Sequence, residues 1–220
     1  MAYSIVVVGA SWGGLHALGL LVGGLPAGFA LPMAIVQHRS KDSDHGLLAR
    51  LLQDQTQLPV SEVEDKEPIE PGRVYVAPPD YHLLVDGAHF SLTVDPPVRF
   101  SRPSIDVTFV SAAASCGAGT VGVVLTGANE DGAFGLRHIA DQGGYAVVQD
   151  PETAEIRTMP AAARRAVPTA VVLPIESIAG HLAALASGVA GPQPVGRRLR
   201  GDRAVPGGLG AAHGEREGRP

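Results

Sequence analysis

Ile5-Val6-Val7-Val8-Gly9-Ala10-Ser11-Trp12-Gly13-Gly14 is the stretch whose reading decides the fold. Four branched apolar residues in a row read as a strand buried on both faces. Gly9 to Gly13 interrupt it, and Leu15, Leu18, Leu21, Val22 and Leu25 follow at helical spacing. The stretch is therefore strand, tight turn, helix. It carries a serine hydroxyl at the carboxyl end of a parallel strand, where open α/β sheets bind ligands. Two chemistries fit such a turn. G-x-S-x-G is the pattern of a nucleophile elbow, whereas a glycine-rich strand-to-helix turn also cradles phosphate. The dinucleotide fingerprint G-x-G-x-x-G is not met, because Ser11 stands at its second glycine.

Working outward, Leu31 to Gln37 read as a second strand with His38 at its end, and Asp44 is placed to cap the helix of Leu47, Leu48, Leu51 and Leu52. The acidic run from Ser61 to Glu70 reads as a solvated strand edge and loop. Gly72 to Ala77 form a strand that stops at Pro78-Pro79. His82–Val85 and His89–Val94 flank Asp86-Gly87, a hairpin turn signal, so antiparallel material is inserted in an alternating β/α pattern. A helix begins at Ser104. Val121 to Thr126 are a further apolar strand, whose exit, Gly127 to Gly132, is a second glycine-rich turn leading into a helix through Leu136 and Ile139. Tyr145–Gln149 and Ala170–Leu173 are the last strands. This alternation implies an α/β fold: a doubly wound, mostly parallel, Rossmann-like three-layer sheet with an inserted antiparallel hairpin. Residues 1–190 form one domain by this reading. Residues 191–220, rich in Gly, Pro and Arg, are expected to be a disordered tail.

Composition narrows the function classes. A chain of 220 residues with 45% hydrophobic residues has enough material for one real core. A net charge of -5 argues against nucleic acid as main partner. Cys116 is the only cysteine, which excludes an internal disulfide framework and a thiolate-rich zinc site. No apolar run approaches the ~20 residues of a membrane span, and no secretory leader precedes the first strand. The expectation is a cytoplasmic protein without membrane insertion.

Ser11, His38 and Asp131 share one property: each follows a buried strand, and in a parallel sheet all such positions lie along one edge. Serine, imidazole and carboxylate are the set that acyl transfer needs. The base takes the serine proton, and the carboxylate orients and stabilises the imidazolium. Other polar residues have plainer readings. His16 reads as a partly exposed helical residue, His138 as a surface helical residue and His45 as solvated. His82 reads as a structural hydrogen-bonding residue. Asp106 and Arg102 could touch substrate, although Ser104 as helix cap with Asp106 in the first turn accounts for them. Glu130 competes with Asp131 for the carboxylate role.

The sequence also resembles the catalytic domain of the chemotaxis protein-glutamate methylesterases, the CheB family. The matching segments are Gly9 to Gly14, Val36-Gln37-His38, Tyr75 to Leu84, Arg102 to Val107 and Leu125 to Ala133, in order over about residues 4 to 185. The resemblance implies Ser11 as nucleophile, His38 as general base and Asp131 as its partner. It implies removal of methyl groups from glutamate γ-methyl esters on the cytoplasmic helices of methyl-accepting chemotaxis receptors, with release of methanol. Deamidation of glutamines would follow the same chemistry. No metal or organic cofactor is implied. The backbone N–H groups of Trp12 and Ala128 are candidates for the oxyanion site, since both turns leave helix N-terminal donors free. Trp12 stands where the family commonly has threonine, and Ala128 where it commonly has methionine. The chain opens at the first strand of the catalytic domain, so the receiver domain that many members carry is not expected. Two alternatives stay open: a small-ester or amide hydrolase on the same scaffold, suggested by Trp12, and a non-catalytic binding module.

Overall fold

The computed structural model describes residues 3–188; the expected tail at 191–220 lies outside the described residues. The central sheet has seven strands in the order β3-β4-β2-β1-β7-β8-β9, all parallel. These are β1 (Ile5–Ala10), β2 (Met33–Gln37), β3 (Val60–Glu62), β4 (Val74–Val76), β7 (Thr120–Val124), β8 (Tyr145–Gln149) and β9 (Val171–Leu173). The hairpin β5 (His82–Asp86) and β6 (His89–Thr93) forms a separate antiparallel pair. The doubly wound sheet and the inserted hairpin agree with the sequence reading.

The alternation along β1 sorts the two cores. Val6, Val8 and Ala10 point to one face, where α1 (Gly14–Gly23), α2 (Leu47–Gln53) and α6 (Ile175–Ala186) pack. Ile5 and Val7 point to the other, against α3 (Ile105–Cys116), α4 (Ala133–Asp141), α5 (Thr158–Ala166) and the hairpin. Val6, Val7 and Val8 are fully buried because each face of the strand is covered by helices. Gly9 is needed here for contact: a Cβ would run into the Ile105 side chain at the start of α3.

β1 lies at the centre, with β2 on one side and β7 on the other. This is the point where strand order reverses, and a crevice opens beyond the strand ends. The parallel ladder continues past the strands: the His38 N–H donates to the Ala10 carbonyl at 3.0 Å, and the Ser11 N–H to the Thr126 carbonyl at 2.9 Å. Neighbouring registers thus bring three strand exits to one level.

Local details differ from expectation at the helix starts. The Asp44 side chain makes no capping bond. Gly46, with φ of 70°, is the N-cap of α2, and its N–H donates to Glu62 at 3.1 Å. Ser104 does cap α3, accepting from the Val107 N–H. Helices α5 and α6, which the sequence reading left unassigned, fill the two layers.

Candidate active site

Ser11 occupies the turn between β1 and α1. The Gly13 backbone there has φ of 74°, a left-handed conformation that glycine adopts without strain. The turn is tied across the sheet by Thr126, whose hydroxyl donates to the Trp12 carbonyl at 2.9 Å and accepts from the Ile156 N–H at 2.9 Å. Gln37, the last residue of β2, donates its side-chain amide to the Ser11 carbonyl at 2.7 Å and to the His38 carbonyl at 2.9 Å. Gln37 therefore fixes the serine turn to the histidine turn.

His38 and Asp131 meet. His38 Nε2 lies 2.7 Å from Asp131 Oδ2, although the residues are 93 positions apart. The same carboxylate accepts from the Ile105 N–H at 2.7 Å, and from Ser104 Oγ and the Asp106 N–H at 3.0 Å each. It is fully buried. Burial pushes the Asp131 carboxyl up, but the bonds from His38 and these amides outweigh it and hold the group below the ordinary carboxylate range. With an acceptor-only carboxylate on Nε2, the tautomer with Nε2–H follows, leaving Nδ1 free to take a proton. Nδ1 stands 3.4 Å from Ser101 Oγ.

Ser11, Trp12, His16, Gln37, His38 and Glu155 line a cleft of about 700 Å³. Ser11 Oγ has no hydrogen-bond partner among the described residues, so its hydroxyl is unengaged in the cleft that His38 also lines. The N–H groups of Trp12 and Ala128 likewise donate to no acceptor among the described residues. The Trp12 side chain is 67% exposed at the rim. An arrangement of this kind can take a proton from a serine and return it to a leaving group.

The remaining sequence candidates separate cleanly. Glu130 is exposed and pairs with Arg165 at 2.9 Å, away from His38. His82 is buried with its ring nitrogens engaged by the Ser104 N–H and the Pro96 carbonyl, the structural role expected. His16 is exposed on the cleft wall, and His138 is half-buried on α4 beside Phe134. His45 is exposed as expected, yet it also pairs with Glu62 at 2.6 Å. Arg102 is held by Asp80 and by the Val94 and Asp95 carbonyls. Asp106 caps the start of α4 rather than its own helix, accepting from the Gly132 and Gly135 N–H groups at 2.8 Å each. Among the described residues no three His, Cys, Asp or Glu side chains gather as metal ligands.

A family model described as CheB methylesterase matches residues 6–182, a range that takes in part or all of every strand of the parallel sheet and the whole site. The chain belongs to the CheB methylesterase family. It is 47% identical over 180 residues to a putative protein-glutamate methylesterase/protein-glutamine glutaminase of Leptospira interrogans, covering 81% of this chain and 93% of the relative. It is 40% identical over 187 residues to protein-glutamate methylesterase/protein-glutamine glutaminase 1 of Carboxydothermus hydrogenoformans, covering 82% of this chain but 54% of that relative. The catalytic domain of Thermotoga maritima CheB methylesterase superposes with a TM-score of 0.78 at 33% identity, over 84% of this chain and all of that domain. The CheB family is a family of hydrolases, and this chain carries its α/β fold throughout the matched region.

Sequence reasoning gave Gln37, Ser101, Thr126 and Glu155 no role. Gln37 was visible within the Val36-Gln37-His38 match. Glu155 carried no signal, because it reaches the cleft from the loop after β8 through the fold alone.

Proposed function

We propose that this chain is a protein-glutamate methylesterase that cleaves glutamate γ-methyl esters on the helical cytoplasmic domain of a methyl-accepting chemotaxis receptor. Its place of action is then the cytoplasm; among the described residues no helix is long and apolar enough to cross a membrane. The observation that carries the reading is the His38–Asp131 hydrogen bond, made on the wall of the cleft that holds the unengaged Ser11 hydroxyl. The names of the relatives supply the substrate class.

In this mechanism Ser11 Oγ attacks the ester carbonyl carbon while its proton passes to His38 Nδ1. The charge arising on the carbonyl oxygen is received by the Trp12 and Ala128 N–H groups, which need no reorganisation to meet it. Asp131 stabilises the imidazolium through Nε2–H. The bond to the methoxy oxygen breaks, and His38 returns its proton to give methanol. Water, giving a proton to the same Nδ1, then attacks the acyl-enzyme; the bond to Ser11 Oγ breaks as His38 returns that proton to it, and the glutamic acid released loses its proton to solvent and leaves as carboxylate. A glutamine side chain would follow the same course with ammonia as leaving group.

The test is release of volatile methanol from methyl-labelled receptor by the purified protein beside its Ser11→Ala variant. Release by the wild type and none by the variant is expected. Full release by Ser11→Ala overturns the assignment of the nucleophile, and none by the wild type overturns the substrate class.

A further inference from the structure

Asp131 and Asp106 exchange helix caps. Asp131, just before α4, accepts from the Ile105 and Asp106 N–H groups that open α3. Asp106, in the first turn of α3, accepts from the Gly132 and Gly135 N–H groups that open α4. Each carboxylate sits on the positive end of the other's helix. The Gly132 N–H is shared, reaching Asp131 Oδ1 at 3.1 Å as well. Asp106 is thus the anchor of the loop that presents Asp131, and it touches neither Ser11 nor His38.

We propose that Asp106 is a positioning residue of the active site: it pins the start of α4, so that Asp131 meets His38 in register, and it adds negative charge behind the pair that favours the imidazolium. The proposal rests on the reading of His38 as general base. The charged and titratable groups around Asp106 are Asp131 from the loop before α4, Arg99 at 3.5 Å from the loop before α3, His38 beyond Asp131, and His82 of β5, which touches the neighbouring Ser104 N–H. Burial, reinforced by the charge of Asp131, pushes the Asp106 carboxyl up to about 6 against the pull of the Gly135 and Gly132 N–H groups. It is therefore ionised above that range, where the imidazolium forms and decays in each catalytic cycle.

Two variants separate charge from position. Asp106→Asn keeps an oxygen for the Gly132 and Gly135 N–H groups and removes the charge. Its His38 imidazole, followed by nitrogen NMR, should titrate with a midpoint lower by about 0.5 to 1 unit, less than the ~1–3 units of a charge in contact. The acid limb of kcat/KM on a small aryl ester should move the same way, since loss of a negative neighbour disfavours the imidazolium. Asp106→Ala removes the anchor, and kcat should fall by about 10- to 100-fold with KM held, as for a misplaced catalytic group. Should that protein fail to fold, Asp106→Leu, close in shape and likewise without an acceptor for the Gly132 and Gly135 N–H groups, replaces it. A His38 midpoint that stays in place in Asp106→Asn overturns the proposal. So does a variant lacking the acceptor that keeps kcat within about twofold while only its Tm falls. The NMR titration needs no substrate, so failure of the methanol assay in the wild type would sink the proposed reaction and leave this test decisive.

Discussion

His38 presents Nε2, and not Nδ1, to Asp131, at 2.7 Å. The nitrogen left for the serine proton is Nδ1, the reverse of the assignment in the chymotrypsin-type triad. Asp131→Asn would place an amide group where His38 Nε2–H and several backbone N–H groups need an acceptor. Loss of kcat by about 10³- to 10⁴-fold is expected on a small aryl ester, the scale seen when a triad carboxylate is neutralised. Steady-state kinetics check it. A loss below tenfold would show that Asp131 has no part in the chemistry.

Gln37→Leu keeps the approximate side-chain shape and removes both donors. The Ser11 and His38 carbonyls would each lose a partner. A cost of about 1–3 kcal/mol is expected for the unsatisfied groups, or a Tm lower by about 2–4 °C per kcal/mol. Because the amide joins the two turns, kcat should fall more than KM rises. Differential scanning calorimetry and kinetics on one preparation read both.

Trp12→Thr tests the residue that departs from the common family pattern. The indole is 67% exposed, so unfolding free energy should change by less than about 0.5 kcal/mol. An apolar wall of the cleft is lost, and KM for an aryl ester should rise several-fold. A KM equal to that of the wild type would show that the indole does not touch substrate.

The stability profile in acid should carry the sign of Asp131. Its folded carboxyl titrates below the ordinary range, so its contribution is complete above the unfolded value of ~3.9 and is lost as pH falls through the folded value. The gap in unfolding free energy between wild type and Asp131→Asn should stay level above about pH 5 and close toward pH 2. Asp106 works in the opposite direction: its folded value is raised, so the folded state takes up a proton first, and stability drawn from that uptake declines as pH rises from about 4 through 6. Urea titrations at stepped pH measure both.

The parts of this molecule legible in the sequence are those written by burial on two faces. Val6, Val7 and Val8, and Val121 to Leu125, form unbroken apolar runs because parallel strands are covered above and below. Three of the chemistry-bearing positions are legible for a related reason: Ser11 and His38 directly follow such strands and Asp131 lies in the turn that leaves β7, and strand exits have to lie on the reactive edge. The edge strand β3 was read only as a strand edge because Val60, Ser61 and Glu62 are each half-buried and carry no sustained pattern. In α6, Ile175, Ile178, Ala179, Leu182 and Leu185 follow helical spacing, a signal that the sequence does carry. In α5, a short run of small residues around Pro160 gives a weaker stripe.

The sequence by itself determined the layered α/β class, the serine turn at the exit of β1 and the family to which the chain is similar. Only the tertiary structure decided which nitrogen of His38 meets Asp131, that Gln37 bonds both turns, and that Asp106 caps α4 rather than its own helix. The reason is physical. Burial and periodicity are properties of neighbours along the chain and leave their mark in composition. Hydrogen-bond partners such as Asp131 and His38, 93 residues apart, are chosen by the order of strands in the sheet and the register of their ends, which no local pattern encodes.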